Sequence, residues 1–258
     1  MKFIGVDLAW SLSGGTGLCA IEDGRVTASA RLSTDEEILA WLGPRVQGEV
    51  LVAIDAPLIV RNETGQRPCD RLISRCFGAH HAGAYPANRG IRAFREGVRA
   101  ERLVHALDLD IDPEFEPRTG VRRAIEVYPH PAVVALFELA VTLKYKAKPN
   151  RTIRARSAAL AELLRHLEGL IHAHPSLDVT SAPRWKELAT IVADPPSGAA
   201  LSRAEDEIDA FVCAFVGLYY WAHGTKRCRV AGDVQSGYIV TPVTEDQGAR
   251  LDRLETAV

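Results

Sequence analysis

In the first quarter of the chain, three predicted strands precede the first predicted helix, and this order excludes strict β/α alternation. Three segments typical of strands follow one another at residues 2–9, 16–21 and 25–32, separated by Ser/Gly punctuation and an Asp-Gly turn. A capping box at Thr34–Glu37 then predicts a helix to about residue 45. The apolar run at 49–56 is of the kind found in a sheet covered on both faces. This order predicts an antiparallel meander that continues through a helix into parallel strands.

The remaining residues are expected to complete a single domain, residues 1–258, of the α/β class. Residues 58–120 show weak periodicity, many arginines and Gly/Pro breaks, which predicts an insertion of short helices and loops. A strand is predicted at 121–128, helices at 131–143, 153–172, 185–192 and 202–222, and short edge strands at 227–230 and 238–240. The helix at 202–222 is expected to begin at a second capping box, Ser202–Glu205. Without a G-x-G-x-x-G motif after the first strand, the pattern is neither a Rossmann fold nor a TIM barrel.

Composition narrows the class of protein without identifying a function. The 258 residues are 47% hydrophobic and 25% charged, which excludes a disordered chain. The 31 Lys+Arg against 33 Asp+Glu give a formal charge of −2, which excludes a polycation. Five cysteines, an odd number, favour a reducing compartment. The longest apolar run, 210–222, is shorter than the roughly 20 residues of a membrane span. A soluble cytoplasmic protein that does not engage a membrane is therefore expected.

Three acidic residues lie in or at the end of apolar strand segments, where burial disfavours a charged side chain. Asp7 and Glu126 lie inside apolar strand segments, and Asp55 ends the most apolar strand. An unpaired carboxylate in such a position costs several kcal/mol, so each is expected to face a cation or a cleft at a strand end. The alternative is that each pairs with an arginine or caps a loop.

The late helix adds Asp206 and Asp209, which are three residues apart and project from one side of the helix. First-turn acids complement the helix dipole, which accounts for Glu205–Glu207 but explains Asp209 less well. Acids gathered from three strands and a helix repel one another unless a divalent ion neutralises them, and carboxylate oxygens suit Mg²⁺ or Mn²⁺ rather than Zn²⁺. Two such ions about 4 Å apart would stabilise both the attacking water and the leaving oxygen of a phosphodiester.

These motifs together resemble the RNase H-like superfamily, with RuvC-type resolvases as the nearest pattern. More narrowly, the chain is similar to domain-of-unknown-function family 429, whose members are described as predicted RNase H-fold nucleases. The resemblance runs from Met1 to about Pro242. It rests on GVDLAW, AIDAPL, Arg67-Pro68-Cys69-Asp70, Glu126-Val127-Tyr128-Pro129, DEIDAFVCA and the segment Gly232–Pro242.

The resemblance implies an RNase H-like fold and a metal-dependent nuclease with a two-metal site for Mg²⁺ or Mn²⁺. Asp7, Asp55, Asp206 and Asp209 would then be the catalytic, metal-binding residues, with water as the nucleophile. Glu126 belongs to the narrower family pattern and would be a further metal ligand. The 58–120 insertion departs from the compact resolvase plan, which leaves DNA, RNA or a hybrid open as the substrate.

A basic segment supports a nucleic-acid partner. Residues 144–156 hold six basic residues and no acid, and such clusters hold phosphate backbones, while a tyrosine among them would stack on a base. The candidate nucleic-acid-binding residues are Lys144, Tyr145, Lys146, Lys148, Arg151 and Arg154. The alternative is a solvated loop and helix start. His130 is expected either to relay protons to the acidic cluster or to begin a helix.

Other readings stay open. Cys69, Cys76, His80 and His81 lack the tight pairs of structural zinc sites, so buried thiols are favoured. Asp7 followed by Gly14-Gly15-Thr16 is similar to the phosphate loop of small-molecule phosphotransferases of the actin-hexokinase type, although no second Gly-rich loop follows. A non-catalytic nucleic-acid-binding protein with the same fold is the third possibility.

Overall fold

The central sheet of the computed structural model, which describes residues 1–11 and 14–256, has five strands in the order β3-β2-β1-β4-β5. Strands β1 (Lys2–Asp7), β2 (Thr16–Glu22) and β3 (Arg25–Leu32) form an antiparallel meander. On the other side of β1, strand β4 (Val50–Ile54) runs parallel to it, and β5 (Arg122–Glu126) runs parallel to β4. The prediction of a mixed five-stranded sheet, antiparallel first and then parallel, is confirmed.

Helices flank this sheet, as predicted, and every residue of β4 is buried. Their bounds are α1 (Asp35–Leu42), α2 (Pro68–Phe77), α3 (Arg99–Ala106), α4 (Pro129–Leu136), α5 (Ile153–Gly169), α6 (Trp185–Ala193), α7 (Gly198–His223) and α8 (Glu245–Glu255). Helix α4 ends before residue 143, the predicted end, because the backbone turns to a positive φ at Glu138. Helix α8 was not predicted, although the capping box that begins it, Thr244 with Gln247, is visible in the sequence. Within the described residues, no helix combines the length and the apolar character needed to cross a membrane.

A second, two-stranded sheet lies beyond the end of β5. Strands β6 (Cys228–Asp233) and β7 (Gly237–Pro242) pair with each other rather than extending the central sheet, and Val127 bridges to Val240. With α2 and α8 they enclose a smaller hydrophobic core, whose members include Cys69, Ile73, Phe77, Ala231, Ile239 and Leu251. Helix α2 of the insertion is therefore held against this C-terminal unit.

Helix α7 begins one turn earlier than the capping box at Ser202 predicts. The Ser197 hydroxyl accepts a hydrogen bond from the Ala200 amide at 3.1 Å, and the helix starts at Gly198. The Ser202 hydroxyl instead accepts from Arg156 at 2.8 Å. Because Glu205 and the acids after it lie beyond the first turn, the helix dipole does not account for them, and their burial needs another partner.

Two glycines let α7 approach the strands at backbone distance. A Cβ at Gly5 of β1 would lie 1.9 Å from the Ala210 carbonyl oxygen, and one at Gly17 of β2 would lie 1.8 Å from the Asp206 carbonyl oxygen. Neither neighbour is a flexible side chain that can move away. The close crossing therefore requires glycine at both positions and brings the acids of α7 to the end of β1.

We expect Gly5→Ala to destabilise the protein by about 3 kcal/mol, because the new methyl group forces backbone against backbone at the upper end of overpacking costs. The measurement is the free energy of unfolding in urea. Gly78→Ala is the matched control, since nothing lies within 4 Å of a Cβ there and φ is −60°. Equal stability of the two variants would show that the close crossing of α7 over β1 is not required.

Candidate functional site

The ends of two adjacent parallel strands place two of the predicted acids at one edge of the sheet. Asp7 is the last residue of β1, and Asp55 follows the last residue of β4. Helix α7, which crosses β1 at Gly5, contributes Asp209, which is fully buried. We call Asp7, Asp55 and Asp209 the acid cluster.

The negative charges of the acid cluster repel one another. Burial raises the pKa of Asp7 well above its usual range, and the negative charges of Asp209 and Asp55 raise it further. Burial likewise raises the pKa of Asp55 to about 7, against the opposing effect of Lys146 and with a further upward contribution from Asp209. Carboxylates that perturb one another in this way need a nearby cation to remain charged.

Lys146 supplies that cation. Its Nζ lies 2.5 Å from Asp209 Oδ2 and 3.8 Å from Asp7 Oδ2, and it also contacts Glu205 Oε1 at 3.3 Å. Burial works against the ammonium charge, but these acids outweigh it and raise the pKa of Lys146. Asp209 Oδ2 nevertheless has no hydrogen-bond donor, so the contact is an ion pair without hydrogen-bond geometry. The lysine predicted to hold external phosphate is therefore the counter-ion of the acid cluster.

Tyr145 is also inside the protein. Its side chain is fully buried, and its hydroxyl donates to Asp209 Oδ1 at 2.8 Å. The prediction that Tyr145 stacks on a base is therefore wrong, because no base reaches a ring in this position. Lys144, Lys148 and Arg154 of the same basic segment are exposed, and Arg151 is partly buried.

The remaining acids of α7 have their own partners. Asp206 Oδ2 accepts from Arg31 Nε at 2.8 Å, so Arg31 of β3 is the counter-ion of this predicted metal ligand. The negative charge of Asp206 still contributes to the raised pKa of Asp7. Glu205 Oε2 accepts from Arg156 Nη2 at 3.0 Å, while its other oxygen faces Lys146. Glu205 was not singled out as a site residue. The signal was its spacing of four residues before Asp209, which places both on one face of the helix.

Glu126 belongs to a separate buried ion-pair network. Its oxygens accept from Arg67 Nη1 at 2.9 Å and Nη2 at 2.6 Å, and Oε2 also accepts from the Leu58 amide at 2.9 Å. The same guanidinium contacts Asp70 at 2.8 Å. Both Glu126 oxygens are thus taken by Arg67, which contradicts the metal-ligand role given by the family pattern. Glu126 is instead paired with an arginine, which is the alternative interpretation given above.

His130 contacts Tyr145, which in turn donates to Asp209 of the acid cluster. Its ring centroid lies 5.5 Å from that of Tyr145, and its Nδ1 lies 3.3 Å from the Thr142 hydroxyl. Burial, followed by the charge of Lys146, lowers the pKa of His130 to about 4, so the ring is neutral at physiological pH. His130 is the second residue of α4, which fits the helix-start reading, and no acid is within hydrogen-bond distance of it among the described residues.

The other predicted motifs lie elsewhere. All five cysteines are free and buried, which confirms the buried-thiol reading. In the Gly14-Gly15-Thr16 segment, a Cβ at Gly15 would meet the Arg31 side chain, and Thr16 is fully buried in β2. In the arrangement seen across the described residues, no three His, Cys, Asp or Glu side chains are close enough to hold a metal ion.

Comparison with known proteins places the chain in a family but gives no activity. Neither the curated proteins nor the solved structures contain a match. The model of the family described as "Protein of unknown function (DUF429)" matches residues 5–234, which is most of the chain. The chain therefore belongs to the DUF429 family, as its motifs indicate.

Proposed function

We propose that this protein is a metal-dependent nuclease that hydrolyses phosphodiester bonds of nucleic acid at the acid cluster. The observation that carries the proposal is that β1, β4 and α7 bring three carboxylates to one edge of the sheet, where Lys146 Nζ lies 3.8 Å from Asp7 and 2.5 Å from the fully buried Asp209. The family resemblance supports the same conclusion, together with an RNase H-like assignment of the sheet. We place the protein in the reducing cytoplasm, since its five cysteines are free.

A divalent cation fits the acid cluster by donor type and charge. Carboxylate oxygens are the donors that Mg²⁺ and Mn²⁺ prefer, and the buried Asp209 Oδ2 has no hydrogen-bond donor of its own. Asp7, Asp55 and Asp209 would hold the ion once the Lys146 ammonium moves out of the cluster. A bound ion of this kind stabilises the charge that develops in phosphodiester hydrolysis. The chain itself supplies the fixed carboxylates, while Tyr145 holds Asp209 Oδ1 in place.

The proposal is tested by incubating the purified protein with labelled single-stranded, branched and RNA–DNA hybrid substrates. We expect cleavage with Mg²⁺ or Mn²⁺ and none with EDTA. Absence of cleavage of every substrate class, with oligonucleotide binding unaffected by chelator, would instead identify a non-catalytic nucleic-acid-binding protein.

Lys146 should compete with a divalent ion for the acid cluster. We expect Lys146→Met to bind Mn²⁺ at least about tenfold more tightly, because removing a nearby positive charge is worth more than about 1.4 kcal/mol at a buried site. The measurement is Mn²⁺ titration followed by calorimetry or electron paramagnetic resonance, which needs no activity. Lys226→Met, at an exposed position outside the acid cluster, is the control and should bind Mn²⁺ like the wild type. Weaker Mn²⁺ binding by Lys146→Met would contradict the competition.

A further inference from the structure

Tyr85 is an aromatic side chain that the structure leaves in solvent. It is 56% exposed, and the other large exposed hydrophobics among the described residues are the aliphatic Val141, Ile153, Ile171 and Val234. An exposed ring has lost the burial that normally stabilises aromatic residues, so a ligand that covers it gains that burial on binding. Tyr85 belongs to the 58–120 insertion, in which no site residue is predicted.

The position of Tyr85 connects it to the acid cluster. Tyr85 and Tyr128 line one cavity together with Asp55. The same two tyrosines line a second cavity, of about 50 Å³, whose wall includes Lys146, Lys148 and Arg151. The exposed ring therefore lies between an acidic cavity and a basic one.

The basic cavity has positive charge that no acid of the described residues neutralises. No carboxylate of residues 1–11 or 14–256 forms an ion pair with Lys148 or Arg151, whereas Lys146 is paired with the acids. Lys148 Nζ lies 5.2 Å from the Tyr85 ring centroid, and Arg151 Nη1 donates to the Lys146 carbonyl oxygen at 3.1 Å. Both cations also contribute to the lowered pKa of His130, after burial and Lys146. Two cations without an acid partner among the described residues, beside an exposed ring, match a phosphate next to a base.

We propose that Tyr85, Lys148 and Arg151 form a subsite for single-stranded nucleic acid, in which one base stacks on Tyr85 and the adjoining phosphate binds between Lys148 and Arg151. The inference deepens the proposed function, on which its choice of ligand class rests. A single strand is favoured over a duplex because stacking on a side chain requires a base that has left its own stack. Tyr85 thus takes the stacking role that the buried Tyr145 does not fill.

The test is fluorescence anisotropy with a fluorescein-labelled single-stranded oligothymidylate in EDTA, so that binding is measured without cleavage. We expect Tyr85→Ala to weaken binding about 5- to 100-fold, the range for loss of one base–aromatic stack, and Tyr85→Phe to bind within about twofold of wild type. The double variant Lys148→Gln/Arg151→Gln should reduce the dependence of log K on log salt by about 0.7 for each phosphate contact removed. Lys226→Gln is the matched control and should leave both quantities unchanged.

The outcomes separate this subsite from the nuclease proposal. Tyr85-dependent binding of the oligonucleotide without metal-dependent cleavage would support the subsite and overturn the nuclease. Metal-dependent cleavage with binding that is indifferent to Tyr85→Ala would support the nuclease and overturn the subsite. A wild-type protein that does not bind the oligothymidylate overturns the subsite directly. Because Tyr85 is exposed, the variants are expected to fold, and an unchanged melting temperature verifies this.

Discussion

Asp7→Asn should lower kcat/KM for metal-dependent cleavage by about 1,000-fold, which corresponds to about 4 kcal/mol of lost transition-state stabilisation. Asp7 ends β1 beside Asp55 and faces Lys146, so it is central to the acid cluster. Asparagine keeps the shape of the side chain but removes the charge that would hold a divalent ion. The measurement is cleavage of the best substrate found for the wild type, with Mn²⁺ in excess.

Folding should survive this substitution. The pKa of Asp7 is raised by burial and by neighbouring acids, so the charged form is disfavoured in the folded protein at neutral pH. Asp7→Asn removes that disfavoured charge, and we expect the free energy of unfolding to stay the same or increase. Asp194→Asn, at an exposed position after α6, is the control and should cleave like the wild type.

Asp206→Asn distinguishes two versions of the site. The family resemblance gives Asp206 the same metal role as Asp209, but its carboxylate is paired with Arg31 at 2.8 Å. If that pairing persists during the reaction, Asp206→Asn should retain far more activity than Asp7→Asn. An equal loss of cleavage activity in both variants would show that Asp206 acts together with the acid cluster. Wild-type activity in Asp7→Asn would remove the acid cluster from the mechanism.

The sequence predicted the sheet well because the signals for it are local. The Asp-Gly turn, the capping box at Thr34 and the apolar run that forms β4 each depend on neighbouring residues. The predicted start of α7 is wrong because two serines, Ser197 and Ser202, are both suitable N-cap residues. Packing determines that Ser197 is the N-cap, while Ser202 accepts a hydrogen bond from Arg156. Strand positions of Asp7 and Asp55 followed from the same local signals, which is why these two site residues could be predicted.

The partners of the acids could not be predicted, because they come from distant parts of the chain. The sequence predicts Lys146 and Tyr145 as nucleic-acid-binding residues, yet both are brought to Asp209, which is more than 60 residues away. Glu126 and Arg67 are separated by 59 residues, and their pairing depends on where the insertion folds back. A basic residue in a loop carries no local mark that tells a phosphate ligand from a counter-ion to a buried acid. The sequence shows which residues are charged, but it does not show which of them pair with one another.

Arg67→Met should destabilise the protein by about 3–5 kcal/mol, the cost of removing one partner from a buried ion-pair network. Arg67 is 2% exposed, and its guanidinium joins Asp70 of α2 to Glu126 of β5 while also donating to the Ile59 carbonyl oxygen at 3.0 Å. Methionine fills similar volume but leaves two buried carboxylates without a cation. The measurement is urea unfolding, with substitution of the exposed Arg71 of α2, Arg71→Met, as the control expected to change stability by less than about 0.5 kcal/mol.

The pH dependence of the Arg67→Met penalty separates lost charge pairing from lost packing. Burial raises the pKa of Glu126, and the Arg67 guanidinium opposes that shift, so removing Arg67 should raise this pKa further. A carboxyl whose pKa is higher in the folded than in the unfolded state binds protons more readily when folded, and lowering the pH therefore favours folding. The penalty should consequently shrink as pH falls from neutral towards the unfolded pKa of glutamate, and Arg67→Met/Glu126→Gln should recover part of the loss at neutral pH. A penalty that is constant with pH and not rescued by Glu126→Gln would mean that Arg67 holds α2 against β5 by packing alone.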